Sequence, residues 1–256
     1  QALKELRERN SAALPVRADS IEAVILTRAH LDHTGYLPRL VAQGFRGRIF
    51  CTPGTASLAR IVLADAAHIQ EEDADRANRR RYTKHSPALP LFTAADASRA
   101  MTMLQPVGYD RPMPVVPGIT VEFINAGHLL GSAYARVVVG ESGRTILFGG
   151  DLGRYSRPVL PDPKPVASAD VLLLESTYGD RLHEADDGGT HLADIITRTA
   201  ARGGKVIVPA FALGRVEELL YWIHTLEDQK RIPALPVYVD SPMASAALDE
   251  YRHLMD

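Results

Sequence analysis

The sequence predicts an α/β protein. Three observations carry that reading: short apolar runs bounded by turn residues alternate with stretches of helical spacing, a hairpin-rich block occupies residues 119–149, and from about residue 179 the pattern becomes helix, strand, helix, strand. The 256 residues are 46% hydrophobic and 23% charged, with 19 Gly and 17 Pro, an ordinary globular composition that suffices for one large domain or two smaller ones.

The first run, IEAVIL, reads as a strand that ends in a polar, histidine-bearing turn and leads into GYLPRLVAQG. There Leu37, Leu40 and Val41 share one helical face, Pro38 fits a first turn and Gly44 can end the helix. A short strand follows at RIFCT. A long helix then runs from about Thr55 to Tyr82, and its second half, EEDADRANRRRY, is charged enough to be a solvated face. Residues 86–117 are rich in proline and read as a loop-rich connection with one short helix near Ala94–Met103. ITVEFINAG, ARVVVG and RTILFGG are β-rich, the last two joined through Glu141, Ser142 and Gly143 as a hairpin. ADVLLLEST closes this part as a nearly continuous apolar strand. Beyond Gly179 come a helix over Thr190–Ala201, the strand KVIVPA, a helix over Leu213–Leu226 and the strand LPVYVD, the rhythm of a parallel α/β unit. The expected domains are therefore residues 1–178 and 179–256.

Composition excludes several function classes. No apolar run reaches the roughly eighteen residues of a membrane helix, and the opening QALKELRERN is too charged for a secretory signal, so the expected location is the cytoplasm with no membrane partner. One cysteine, Cys51, can form neither an intrachain disulfide nor a thiolate metal cage. Any metal must therefore be held by carboxylates and by some of the nine histidines. With 29 basic against 31 acidic residues the net charge is -2, so no basic excess advertises a polyanion partner.

Three of the strands end in residues able to bind a metal. IEAVIL runs into His30, Asp32 and His33, ITVEFINAG into His128, and RTILFGG into Asp151. Rigid strand ends along one sheet edge are where α/β folds place their sites. Each histidine alone reads as an ordinary hydrogen-bonded loop residue, but H-x-D-H followed by T-G-Y-L-P, then GHLLGSA, then FGGDLG, form a specific series. Imidazole and carboxylate without thiolate suit zinc, and an aspartate bridging two ions would complete a dinuclear hydrolytic centre. Further on, Gly214 and Arg215 in PAFALGRVEELL open an amphipathic helix, and Asp240 or Ser241 in VDSPMA caps another, with Pro242 in its first turn. Free N–H groups and a guanidinium there could cradle phosphate. The residues by themselves favour two plainly capped helices with Arg215 paired to Glu218.

RAHLDHTGYLPRL, AGHLLGSA and FGGDLGRY resemble the successive metal motifs of the metallo-β-lactamase superfamily. LLLESTYGDR, PAFALGRVEELL and VYVDSPMA resemble its β-CASP branch of RNA-processing nucleases, and the likeness covers essentially the whole chain. The resemblance implies an αββα sandwich, here lacking N-terminal strands, with the start of an inserted β-CASP α/β domain, so that the chain looks like a fragment. It implies a zinc-dependent ribonuclease with two Zn2+ ions: His30 and His128 on the first, Asp32 and His33 on the second, and Asp151 bridging. Asp32 would also orient the attacking hydroxide, and Glu175 would support the site by hydrogen-bonding a ligand imidazole. It further implies RNA as the partner, phosphate contacts at Gly214, Arg215 and Ser241, and a groove lined by Tyr178–His183. An unpaired sheet edge would invite a homodimer.

The chain departs from the family pattern H-x-H-x-D-H at its first position, which is Arg28. A guanidinium stays protonated, offers no lone pair and repels a dication, so it cannot replace a ligand histidine, and the first zinc, left with His30, His128 and the bridging Asp151, is expected to be held much more weakly. Two alternatives follow: a catalytically silent relative that binds RNA or a nuclease partner, and a small-molecule hydrolase, which would leave PAFALGR and VDSPMA unexplained.

Overall fold

The structure, a computed structural model, describes residues 4–182 and 187–255; His183, expected in the groove-lining stretch, lies outside the described residues. Helix α1 (Lys4–Ser11) and a single 3-10 turn (Ala18–Ser20) precede strand β1 (Ala23–Ile25). Then come α2 (Leu31–Thr34), α3 (Leu37–Ala42), β2 (Arg48–Cys51), α4 (Pro53–Arg80), α5 (Ala94–Thr102) and β3 (Leu104–Pro106). Strands β4 (Met113–Val116), β5 (Ile119–Asn125), β6 (Ala133–Val139), β7 (Arg144–Phe148) and β8 (Val171–Leu173) follow, and then α6 (Thr190–Ala201), α7 (Val216–Asp228) and α8 (Pro242–Met255).

Local sequence accounts for the helix ends. The Thr52 hydroxyl accepts the Thr55 N–H at 3.2 Å and Pro53 sits in the first turn, so α4 starts where its orphan donors are met. Thr93 and Asp96 form a reciprocal capping box on α5.

The strands form two sheets. The first is parallel in the order β1-β2-β3; the second runs β4-β5-β6-β7-β8, antiparallel except for the parallel β7–β8 pair. Alternation along β2 shows how they stack. Phe50 faces Val121, Phe123, Ala133 and Ala135 of the second sheet, whereas Ile49 and Cys51 face the helical layer with Leu58, Ala59, Val62 and Ala100. A helical layer thus covers one sheet, which packs on the other, as in the predicted sandwich. On the far face of the second sheet, Ile124, Ala126, Tyr134 and Leu147 pack beneath Val166 and Ala169.

Two stretches differ from the sequence expectation. The proline-rich connection contains β3 and β4, whose Pro106 and Pro114 lie on strands at the sheet edges, where a missing N–H is tolerated. Conversely, KVIVPA and LPVYVD belong to no sheet among the described residues, and Ile207 and Tyr238 within them are 87% and 85% exposed. Apolar patterning marks a candidate strand; only a ladder partner makes one. β8 likewise leaves Val171, Leu172 and Leu173 about half exposed at the sheet edge.

Helices α6 and α7 share a small core of Ala193, Ile196, Leu226 and Ile232. Helix α8 returns to α4: Ala247 and Tyr251 join the main core, and the Tyr251 hydroxyl accepts the Leu130 N–H at 3.2 Å.

Candidate metal centre

The chain leaving β1 is stitched to both sheets, because Leu26 N–H donates to Phe50 and Ala133 N–H donates to the Thr27 carbonyl. Ala29 is fully buried, and the Thr34 hydroxyl donates back to the His30 carbonyl at 3.1 Å. The same carbonyl accepts the His33 and Thr34 amides, which closes α2 as one turn. That turn presents Asp32, 69% exposed, and His33 beside the end of β1.

The His128 loop is held from two sides. The Ser132 hydroxyl accepts the amides of His128 and Leu129, each at 3.0 Å. The Gly131 carbonyl accepts the Thr52 and Thr55 hydroxyls at 2.5 and 2.8 Å, so the first turn of α4 clamps the loop. AGHLLGSA therefore encodes a rigid carrier for one imidazole.

Asp151 follows β7, where Gly149 N–H donates to the Leu173 carbonyl of β8. Gly150 has φ +56 and lies so close to Thr27 that a Cβ would sit 3.1 Å from it. Glu175 accepts the Leu152 amide at 3.1 Å and the Thr177 amide at 3.2 Å. The Thr177 side chain and these two amides hold its carboxyl below the usual range. Glu175 thus fastens the backbone next to Asp151, whereas the resemblance implied a hydrogen bond to an imidazole.

These loops bring all five expected ligands to one place. His30, His128 and Asp151 offer one donor atom each within 4.8 Å of one another. The two rings meet edge to face with centroids 5.4 Å apart, and His128 Nε2 lies 3.4 Å from Asp151 Oδ2. His33 Nε2 is 3.5 Å from Asp32 Oδ2 and 3.8 Å from Asp151 Oδ1. Burial, with the positive Arg28 beside it, pulls the His30 imidazole down to about 4. Burial also lowers His33 and His128, which favours the neutral imidazole, the form a metal needs.

Arg28 occupies the middle of this group. Its side chain is only 4% exposed, and its guanidinium contacts Asp151 Oδ1, donates to Asp32 Oδ2 at 3.0 Å and to His30 Nδ1 at 3.1 Å. The His30, His128 and Asp151 donors thus fit a divalent ion. Among the described residues His128 Nε2 is buried with no hydrogen-bond partner and faces the other members of the three-donor group that could hold a metal ion. The Asp32–His33–Asp151 side already has a guanidinium on both carboxylates.

The expected phosphate-binding residues are not part of this donor group. Gly214, with φ +81, packs against Leu129, next to His128. Arg215 is 67% exposed and 3.6 Å from Glu218, which also contacts Arg157. Glu217 and Glu218 put two acids in the first turn of α7, which opposes an anion at that terminus. Ser241, and not Asp240, caps α8 by accepting the Ala244 amide at 3.1 Å. Sequence reading missed Ser132, Thr52 and Thr55 as supports; the signals were the serine of GHLLGSA and the T-P-G-T start of the long helix.

The family described as a beta-lactamase superfamily domain matches residues 2–210. A ribonuclease of Thermus thermophilus is 38% identical over 96% of this chain and 52% of its own length. Transcription termination factor FttA of Methanocaldococcus jannaschii is 32% identical over 87% of this chain and 33% of its own length. Cleavage and polyadenylation specificity factor 73 of Drosophila melanogaster is 29% identical over 93% of this chain and 33% of its own length. The chain spans about half the length of the first relative and about a third of the other two.

Proposed function

Because the chain belongs to the beta-lactamase superfamily, we propose that it supplies the metal centre of a hydrolase that cleaves RNA phosphodiester bonds. The observation that carries this is the gathering of His30, His128 and Asp151 from three separate strand ends, with donor atoms within 4.8 Å. The names of the relatives, a ribonuclease and a cleavage and polyadenylation factor, support RNA as the substrate.

In this reading His30, His128 and Asp151 hold a zinc ion, which when bound lowers the pKa of a water and polarises a phosphoryl oxygen. Asp32, with its exposed carboxylate, accepts a hydrogen bond from the attacking water and orients it. Glu175 keeps Asp151 in place through the Leu152 amide. Gly214, Arg215 and Ser241 contact the RNA backbone, with Arg215 exposed enough to exchange Glu218 for a phosphate. A boundary near residue 179, a cytoplasmic location and a homodimer through the β8 edge belong to the same proposal; among the described residues no helix is long and apolar enough to cross a membrane.

Incubating the full-length protein with a defined single-stranded RNA tests the reading. Expected is cleavage that a chelator abolishes, with His128→Ala losing about 100-fold or more, at or beyond the upper range for residues that merely support a ligand. RNA bound but uncut, with or without zinc, would instead favour the silent RNA-binding relative. The buried Arg28 guanidinium on both carboxylates is the observation that favours that second reading.

A further inference from the structure

We propose that the Arg28 guanidinium is a built-in cation standing in for a second metal ion between Asp32 and Asp151, so that the centre binds one divalent ion and never two. This rests on the reading of His30, His128 and Asp151 as metal donors.

The division of Asp151 carries the argument. Its Oδ1 contacts the Arg28 guanidinium, while its Oδ2 faces His128 Nε2 at 3.4 Å. One oxygen thus serves the arginine and the other remains for the imidazole side of the centre. Asp32 Oδ2 takes the other arm of the fork at 3.0 Å, so the guanidinium spans both carboxylates as a bridging cation would. The arginine cannot leave its charge behind, since it does not deprotonate in proteins, and it cannot move far without taking a buried side chain, 4% exposed, out of the core. Charge arithmetic points the same way. Two carboxylates with one guanidinium and one dication carry a net +1; a second dication would raise this to +3 within a few ångströms.

Arg28 also reaches the remaining ion. Its Nε–H donates to His30 Nδ1 at 3.1 Å and so occupies a lone pair on that ring. An ion using that nitrogen must displace the bond, which makes Arg28 a competitor at the one site it leaves open. The protein therefore binds its ion more weakly than a variant with a small neutral residue at position 28.

Equilibrium dialysis of the full-length protein against zinc, followed by metal analysis, decides the matter. The expected count is one ion per chain, rising to two in Arg28→Ala, with the first ion bound about tenfold tighter there because a charged hydrogen bond no longer competes. Any count other than one in the unaltered protein overturns the inference. Two ions would overturn it while leaving the metal reading intact; no ion in either protein would overturn the metal reading itself. Should Arg28→Ala fail to fold, thermal melts in chelator complete the test. Asp151→Asn is expected to lower the melting temperature when Arg28 is present and much less in an Arg28→Met background, and equal shifts in the two backgrounds would show that the guanidinium does not sit on Asp151.

Discussion

Gly131→Ala is expected to destabilise the protein by about 3 kcal/mol or more. Gly131 has φ +82, and a Cβ there would lie 2.1 Å from the Thr55 amide nitrogen and 2.5 Å from the Gly54 carbonyl carbon, both backbone atoms that cannot rotate away. The left-handed conformation costs a non-glycine residue about 1–2 kcal/mol, and overpacking adds about 1–3 kcal/mol. Relief would require the start of α4 to lift from the His128 loop, which breaks the Thr52 and Thr55 hydrogen bonds to the Gly131 carbonyl. For a chain of this size the loss corresponds to a fall of roughly 6–12 °C in Tm. Gly140→Ala is the control, since Gly140 has φ +66 but nothing within 4 Å of where its Cβ would lie, leaving only the backbone cost. Equal melting shifts for the two variants would contradict the clamp between α4 and the loop.

Asp151→Ala is expected to cost about 3–5 kcal/mol in metal-free protein, because it leaves a buried guanidinium without its principal partner. Arg28 is 3% exposed overall, and Asp32, its other carboxylate, is largely in solvent at 69%. Asp32→Ala should therefore cost only about 0–1 kcal/mol, the ordinary range of an exposed pair. Denaturant unfolding in the presence of a chelator reads both values. The double variant Arg28→Met, Asp151→Ala should recover much of the loss, since an apolar chain of similar length needs no counter-charge. A double variant no more stable than Asp151→Ala would show that the cost lies elsewhere. Zinc binding should vanish in every variant lacking Asp151.

Much of the centre was legible in the sequence because its information is local. His30, Asp32 and His33, then His128, then Asp151, each follow directly on an apolar run, and strand ends carry side chains to a common edge. The helices were legible for a similar reason, since start signals such as Pro38 and Ser241–Pro242 lie in or next to the elements they start. What local sequence does not hold is the partner. KVIVPA and LPVYVD have strand composition but no ladder among the described residues, while Pro106 and Pro114, which read as loop, are admitted by edge positions. Glu175 was expected on an imidazole and is found on the Leu152 and Thr177 amides, a choice set by how the end of β8 meets the end of β7. Arg28 shows the limit most clearly. Chemistry alone says that it cannot ligate a metal, but only the fold shows that its fork reaches two carboxylates and a histidine at once.

The most direct test of the account is a crystal of the protein equilibrated with zinc and measured at the zinc absorption edge. The account predicts one anomalous peak, bounded by His30, His128 and Asp151, with the Arg28 guanidinium still lying between Asp32 and Asp151. A peak on the Asp32–His33 side, or no peak among these five residues, would contradict it.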